Sequence, residues 1–138
     1  MTHLVDRLAE LRRHLDHLRE IRPSISNSDE LKRNLSLHND VMFSLLMVAQ
    51  LVIDISGELA ARRGIRFEDY TEAVRSLAAL EGMPAGLPEK LARLPGFRNV
   101  LLHEYAVLDY ELVIEALDDL QPVEEFILAV AAQEATAT

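Results

Sequence analysis

The stretch Val41-Met42-Phe43-Ser44-Leu45-Leu46-Met47-Val48-Ala49-Gln50-Leu51-Val52-Ile53-Asp54-Ile55 is apolar on nearly every side when wound as a helix. Helical side chains recur at about 100° per residue, so this run puts Leu, Val, Ile and Met all round the axis instead of along one stripe. Such a helix has to be covered on several sides. Upstream, Asn27 and Glu30 have the spacing of a capping box, and downstream Gly64 stands where a C′ glycine would close the helix after Arg63. The reading is one helix of about 35 residues, roughly 50 Å long. A small bundle does not easily cover such a helix alone, which points to a subunit interface on it and hence to a homodimer.

Around that helix the chain predicts four others. Leu4, Leu8, Leu11, Leu15 and Leu18 follow a 4-3-4-3 spacing and form one apolar stripe on a helix from about His3 to Arg22, ended by Pro23. Ile25 to Asp29 is a loop. His14 and His17 lie three apart; without further ligands they read as solvated histidines on a polar face and not as a metal site. Phe67 to Glu81 is a third helix, and Gly82, Pro84 and Gly86 make a loop. Pro88 suits the first turn of a fourth, patterned by Leu91, Leu94, Phe97, Leu101 and Leu102. Pro95-Gly96 should kink or restart it, because proline lacks an N–H and glycine weakens helices. A fifth runs from Asp109 or Tyr110 to about Gln133 with a bend at Pro122, and the terminal Ala-Thr residues should fray. No strand-type alternation, repeat or glycine-rich phosphate loop is present.

The expected architecture is therefore an all-α bundle of about five helices, one domain over residues 1–138. Leu and Ala dominate a chain that is 49% hydrophobic but only 5% aromatic, with no Trp. The absence of Cys excludes disulfides and thiolate chemistry and fits a reducing cytoplasm. Met1 to Arg7 lacks the apolar core of a signal peptide, and Val41 to Ile53 is too short to span a bilayer, so a soluble protein is expected. The net charge of −9 argues against loose, non-specific nucleic-acid binding, so any RNA contact must rest on a local basic patch. Arg62, Arg63 and Arg66 cluster at a helix end, where they complement the helix dipole or form part of such a rim.

Asp54 interrupts the apolar run, with Gln50 and Glu58 four residues to either side on the same face. A buried carboxylate needs a partner, so this line faces either water or, as the apolar context favours, a cation such as Arg98. The chemistry concentrates in Phe97-Arg98-Asn99-Val100-Leu101-Leu102-His103-Glu104-Tyr105. Histidine serves as a base or an acid near neutral pH, and an arginine fork matches phosphoryl oxygens. Asn99 can position either the imidazole or a substrate. On one undistorted helix Arg98 and His103 are about 140° apart, Asn99 shares the face of His103, and Tyr105 lies about 20° from Arg98. Two copies of the helix meeting at a dimer interface would pool an arginine and a histidine in one cleft. Glu104 points toward the side where Phe97 and Val100 pack; it either sits in water at the helix end or pairs with an arginine.

Read as Arg-x4-His-x-Tyr with Asn after the Arg, following Leu-Pro-Gly, this stretch resembles the HepT-like ribonuclease toxins of the HEPN superfamily. Helix order, motif position and the acidic helix that follows extend the resemblance over most of the chain. It implies a toxin that cuts RNA, with Arg98 and His103 catalytic and Asn99 supporting; these proteins carry a similar Ile-Asp-Ile patch, so Asp54 is a further supporting candidate, in the site or only structural. The residue set suffices without a metal or cofactor. The resemblance also implies a nucleotidyltransferase antitoxin of the MntA type that transfers AMP to Tyr105. The competing expectation is a non-catalytic helical partner of a nucleotidyltransferase or nucleotide.

Overall fold

The five leucines of the first stripe are buried along one side of α1 (Thr2–Ile21), as their spacing predicts. In the computed structural model, which describes residues 2–136, Pro23 falls in a 3-10 turn, Arg22–Ser24, that ends this helix. The chain continues through α2 (Ser28–Arg33), α3 (Leu35–Arg62), α4 (Tyr70–Arg75) and a 3-10 turn at Ser76–Ala79. Then come α5 (Leu87–Leu91), α6 (Leu94–His103), a 3-10 turn at Tyr105–Val107, α7 (Tyr110–Leu117) and α8 (Gln121–Thr136). No strand occurs among the described residues. The expected fraying falls at Ala137 and Thr138, outside them.

The protein is all-α, but three of the five expected helices are divided. Asn34 separates α2 from α3: its backbone is extended (φ −94°, ψ 100°) and its side chain accepts the Leu37 N–H at 3.1 Å. Asparagine offers the backbone a local alternative to helical pairing, which an apolar pattern does not register. Upstream, Asn27 accepts the Glu30 N–H at 2.9 Å, while Glu30 returns its bond to the Ser26 N–H at 3.1 Å. The other end of α3 closes as expected. Gly64 has φ +70°, and the N–H groups of Gly64 and Ile65 bond to the carbonyls of Ala61 and Ala60, a Schellman closure.

At Pro95 the chain restarts: α5 ends at Leu91 and Pro95 occupies the first turn of α6, where its missing N–H costs nothing. The bend expected at Pro122 is likewise a break, with α7 ending at Leu117 and Pro122 in the first turn of α8. Asp69 caps α4 through the Glu72 N–H at 2.8 Å, so that helix starts three residues later than expected.

α3 is the central element and packs on α1, α2, α4 and α6. Its Val41, Leu45, Val48, Ala49, Leu51, Val52, Ile53, Ile55 and Leu59 are buried within the single chain. The expectation that one chain fails to cover this helix is thus corrected. Helices on several sides do cover it, leaving mainly Phe43 (59% exposed) and Leu35 in the open. The length argument against a membrane span is corrected as well: α3, at 28 residues, is long and apolar enough to cross a bilayer, but 56% of its most apolar window is buried in the protein. A core helix has that property too.

Ion pairs tie α1 to the end of the chain. Glu124 on α8 accepts from both Arg12 and Arg19, and Arg22 binds Asp118 through two bonds of 2.7 and 3.1 Å. His14 departs from expectation. It is buried, with Nδ1 3.0 Å from the Ser44 hydroxyl and its ring edge-on to Phe43. It sits on the flank of the leucine stripe that meets α3. His17, one turn on, is paired with Asp40 at 2.8 Å.

Candidate functional site

Pro95 sets the start of α6, and the apolar pattern sets its rotation. Leu101 is buried and Phe97 packs against the core, which leaves Arg98 on the side that meets α3 and α4. Its Nη1 donates to Gln50 Oε1 at 3.0 Å, and Gln50 Nε2 donates to Asp54 Oδ1 at 2.8 Å. Its Nη2 donates to Asn99 Oδ1 at 2.9 Å. The ring of Tyr70, first residue of α4, lies over the guanidinium, 5.3 Å from carbon to centroid. Arg98 Nε is buried and has no hydrogen-bond partner among the described residues.

Asp54 thus does reach Arg98, but through the amide of Gln50. An amide is the suitable link because it accepts from the cation and donates to the carboxylate at once. Glu58, on the same line, does not join: it binds Arg7 at 3.0 Å and Arg62 at 3.0 Å. Asn99 lies one turn before His103 on α6, as expected, and its carbonyl oxygen is engaged with Arg98.

The histidine and tyrosine lie elsewhere. His103 is the last residue of α6 and is exposed. Among the described residues it makes no side-chain hydrogen bond or ion pair. The helix ends there because Glu104 leaves helical geometry (φ −118°, ψ 23°), its N–H still bonded to the Val100 carbonyl at 3.0 Å. Glu104 is exposed at this end and has no arginine partner among the described residues. Tyr105 opens the 3-10 turn and is 69% exposed. The face shared by Arg98 and Tyr105 presumed a continuous helix, and the break at Glu104 removes it. One chain therefore gathers Arg98, Asn99 and Asp54, and leaves His103 and Tyr105 at an open helix end.

Two residues at the centre escaped the sequence reading as site members. Gln50 gave a signal, being four residues from Asp54 in an apolar run. Tyr70 gave none, because it arrives from another helix. In the basic cluster Arg62 is paired with Glu58 and Glu134, whereas Arg63 contacts the neutral Ala79 carbonyl and Arg66 is exposed, so these two keep their charge without an acidic partner among the described residues. Among the described residues no group of three His, Asp or Glu side chains is placed to hold a metal ion.

These features define a class: an all-α bundle with an Arg-x4-His segment on a helix beside its central one. The profile of the family described as Ribonuclease HepT-like matches residues 11–130, and the chain belongs to that family. A provisionally named RNase of Archaeoglobus fulgidus is 29% identical over 109 residues, covering 79% of this chain and 83% of its own. The mRNA nuclease HepT of Shewanella oneidensis is 19% identical over 132 residues, 94% of this chain and 97% of its own. Among solved structures, the tri-AMPylated Shewanella oneidensis HEPN toxin in complex with its MNT antitoxin superposes with a TM-score of 0.78 at 20% identity, covering 94% of this chain and 96% of that one. A mutant MntA–HpeT toxin–antitoxin complex gives 0.80 at 19% identity, covering 94% and 98%.

Proposed function

We propose that this chain is the toxin of a type II toxin–antitoxin system: a metal-independent endoribonuclease, acting in the cytoplasm as a homodimer of single-domain chains. The observation that carries the reading is Arg98, a guanidinium fixed by Gln50, Asn99 and Tyr70, five residues before an exposed, unpartnered imidazole. In the reaction, the 2′-oxygen of a ribose loses its proton and bonds to the adjacent phosphorus, and the bond to the 5′-oxygen breaks. The products are a 2′,3′-cyclic phosphate and a 5′-hydroxyl. Arg98 stabilises the charge on the pentacoordinate phosphoryl group, and His103 moves the proton. Asn99 and Asp54 support the arginine, the latter through Gln50. Because His103 stands away from Arg98 on one chain, a cleft between two chains pools the groups.

Tyr105 is the proposed target of a nucleotidyltransferase antitoxin of the MntA type. Its ring is open to a transferase: the phenol oxygen bonds to the α-phosphorus of ATP and pyrophosphate leaves. The attached AMP adds negative charge and bulk beside His103, which repels and blocks an RNA phosphate. The Shewanella toxin that this chain resembles is tri-AMPylated and in complex with an MNT antitoxin.

The test is incubation of the purified protein with RNA in EDTA. Cyclic phosphate ends that disappear in His103→Ala and Arg98→Ala uphold the reading; undiminished cutting by His103→Ala ends it. A non-catalytic partner of the transferase is the second reading, favoured by the −9 charge. It requires AMP on Tyr105 by intact mass with no cleavage in either state.

A further inference from the structure

Tyr70 is a large aromatic left 47% exposed in a chain poor in aromatics. Its backbone is firmly held. Asp69 caps α4 at the residue before it, Glu72 accepts the Glu68 N–H at 2.8 Å, and Ala73 and Val74 bury the next turn. Phe67, three residues earlier, rests against Gly57 on α3, so the approach to the helix is pinned as well. One side of the ring faces the Arg98 guanidinium. Among the described residues the phenol makes no hydrogen bond, whereas the hydroxyl of Tyr110 is matched to His38 at 3.0 Å. Arg98 covers one side of the Tyr70 ring, and about half of the residue stays exposed beside the candidate phosphate-binding arginine.

We propose that the open side of Tyr70 is a stacking platform for an unpaired nucleobase next to the phosphate that Arg98 binds. This rests on the ribonuclease reading and adds a base-binding subsite to it. The ring and the guanidinium are separated by a distance that neighbouring nucleotides of one strand bridge. Every base has a π-face, so the platform takes single-stranded RNA with little sequence preference. The arginine under the ring draws on its electrons and holds its plane, so little freedom is lost when a base lands. The platform also answers a difficulty of charge. A protein at −9 gains little from general phosphate attraction, and stacking supplies affinity that does not depend on neutralising phosphates.

The experiment measures binding of a short, labelled single-stranded RNA to the full chain carrying His103→Ala, which keeps the strand uncut. In that background Tyr70→Ala should weaken binding by about 5- to 150-fold, the range of one lost base–aromatic stack. Tyr70→Phe, which keeps the ring, should recover most of it. Scanning an abasic nucleotide along the strand should find one position where the Tyr70→Ala penalty vanishes. Tyr70→Ala binding within twofold of its parent, or a penalty that survives every abasic substitution, overturns the platform. If Tyr70 only held Arg98 in place, Tyr70→Ala in the otherwise unaltered chain would slow single-turnover cleavage at saturating RNA with unchanged affinity, and that result also overturns it. Loss of the platform while the unaltered chain still cuts RNA leaves the ribonuclease reading standing. A chain that neither binds nor cuts RNA removes both.

Discussion

Arg98 carries five N–H donors and uses two of them on neighbouring amides, Gln50 and Asn99. Neutral amides fix the direction of the guanidinium without cancelling its charge, as a direct carboxylate contact would. The negative charge of Asp54 acts one residue removed and orients Gln50. Gln50→Leu should therefore keep the fold and lower single-turnover cleavage by about 10- to 100-fold, the worth of a hydrogen bond to a charged group. An unchanged rate would show that Gln50 only fills space. His14 gives a second test at this scale. Burial, opposed by Glu10, holds its imidazole below the ordinary 6.5 and so neutral in the fold. In the unfolded chain it takes up a proton as pH falls past 6.5, while the folded chain resists. Stability should thus decline with falling pH from 6.5 to the lowered folded value. Urea unfolding across that window should show the decline, and His14→Gln should flatten it.

At the scale of elements, the pieces follow local rules faithfully and the joins follow side-chain chemistry. The leucine stripe, the Gly64 closure and the restart at Pro95 were all legible, because each is settled by residues within one or two turns. The division of the long helix at Asn34 was not, since asparagine is tolerated inside helices as well as at caps and the choice depends on where α2 packs. Asn34→Ala removes the cap on α3 and should cost about 1 kcal/mol in urea unfolding. An unchanged midpoint would mean that packing alone holds the break. The ending of α6 at His103 was legible as one of two readings of Glu104, and it matters more. A helix continued to Tyr105 would bring the phenol round to Arg98, whereas the observed break sends it into solvent.

For the molecule as a whole, the first and last helices are locked by charge. The Arg12 hydrogen bond, aided by Arg19 and opposed by burial, holds the Glu124 carboxyl at about 2, below its ordinary 4.5. This contribution to stability is complete above 4.5 and is lost as pH falls from there through about 2. Glu124→Gln should lower stability at neutral pH and remove that part of the acid dependence, read from urea midpoints measured across pH 4.5 to 2. The proposed dimer has a test at the same scale. If each site takes its arginine from one chain and its histidine from the other, co-expressed Arg98→Ala and His103→Ala chains should regain about a quarter of the parent activity, through mixed dimers with one intact site. No recovery would place both groups on a single chain, against the pooled cleft.

The sequence by itself determined that the protein is all-α, which helix must be covered on several sides, where α1 ends, where α3 closes and where α6 restarts, and which short segment carries the unusual chemistry. Periodicity, caps, proline and glycine act over a few residues, so a linear reading captures them. Only the tertiary structure decided that Gln50 joins Asp54 to Arg98, that Tyr70 covers the guanidinium, and that His14 is buried against Ser44. Each of these joins side chains from different helices, far apart along the chain. Their meeting depends on how the helices are rotated and crossed, and the summed packing of the core sets those angles, not any local pattern of residues.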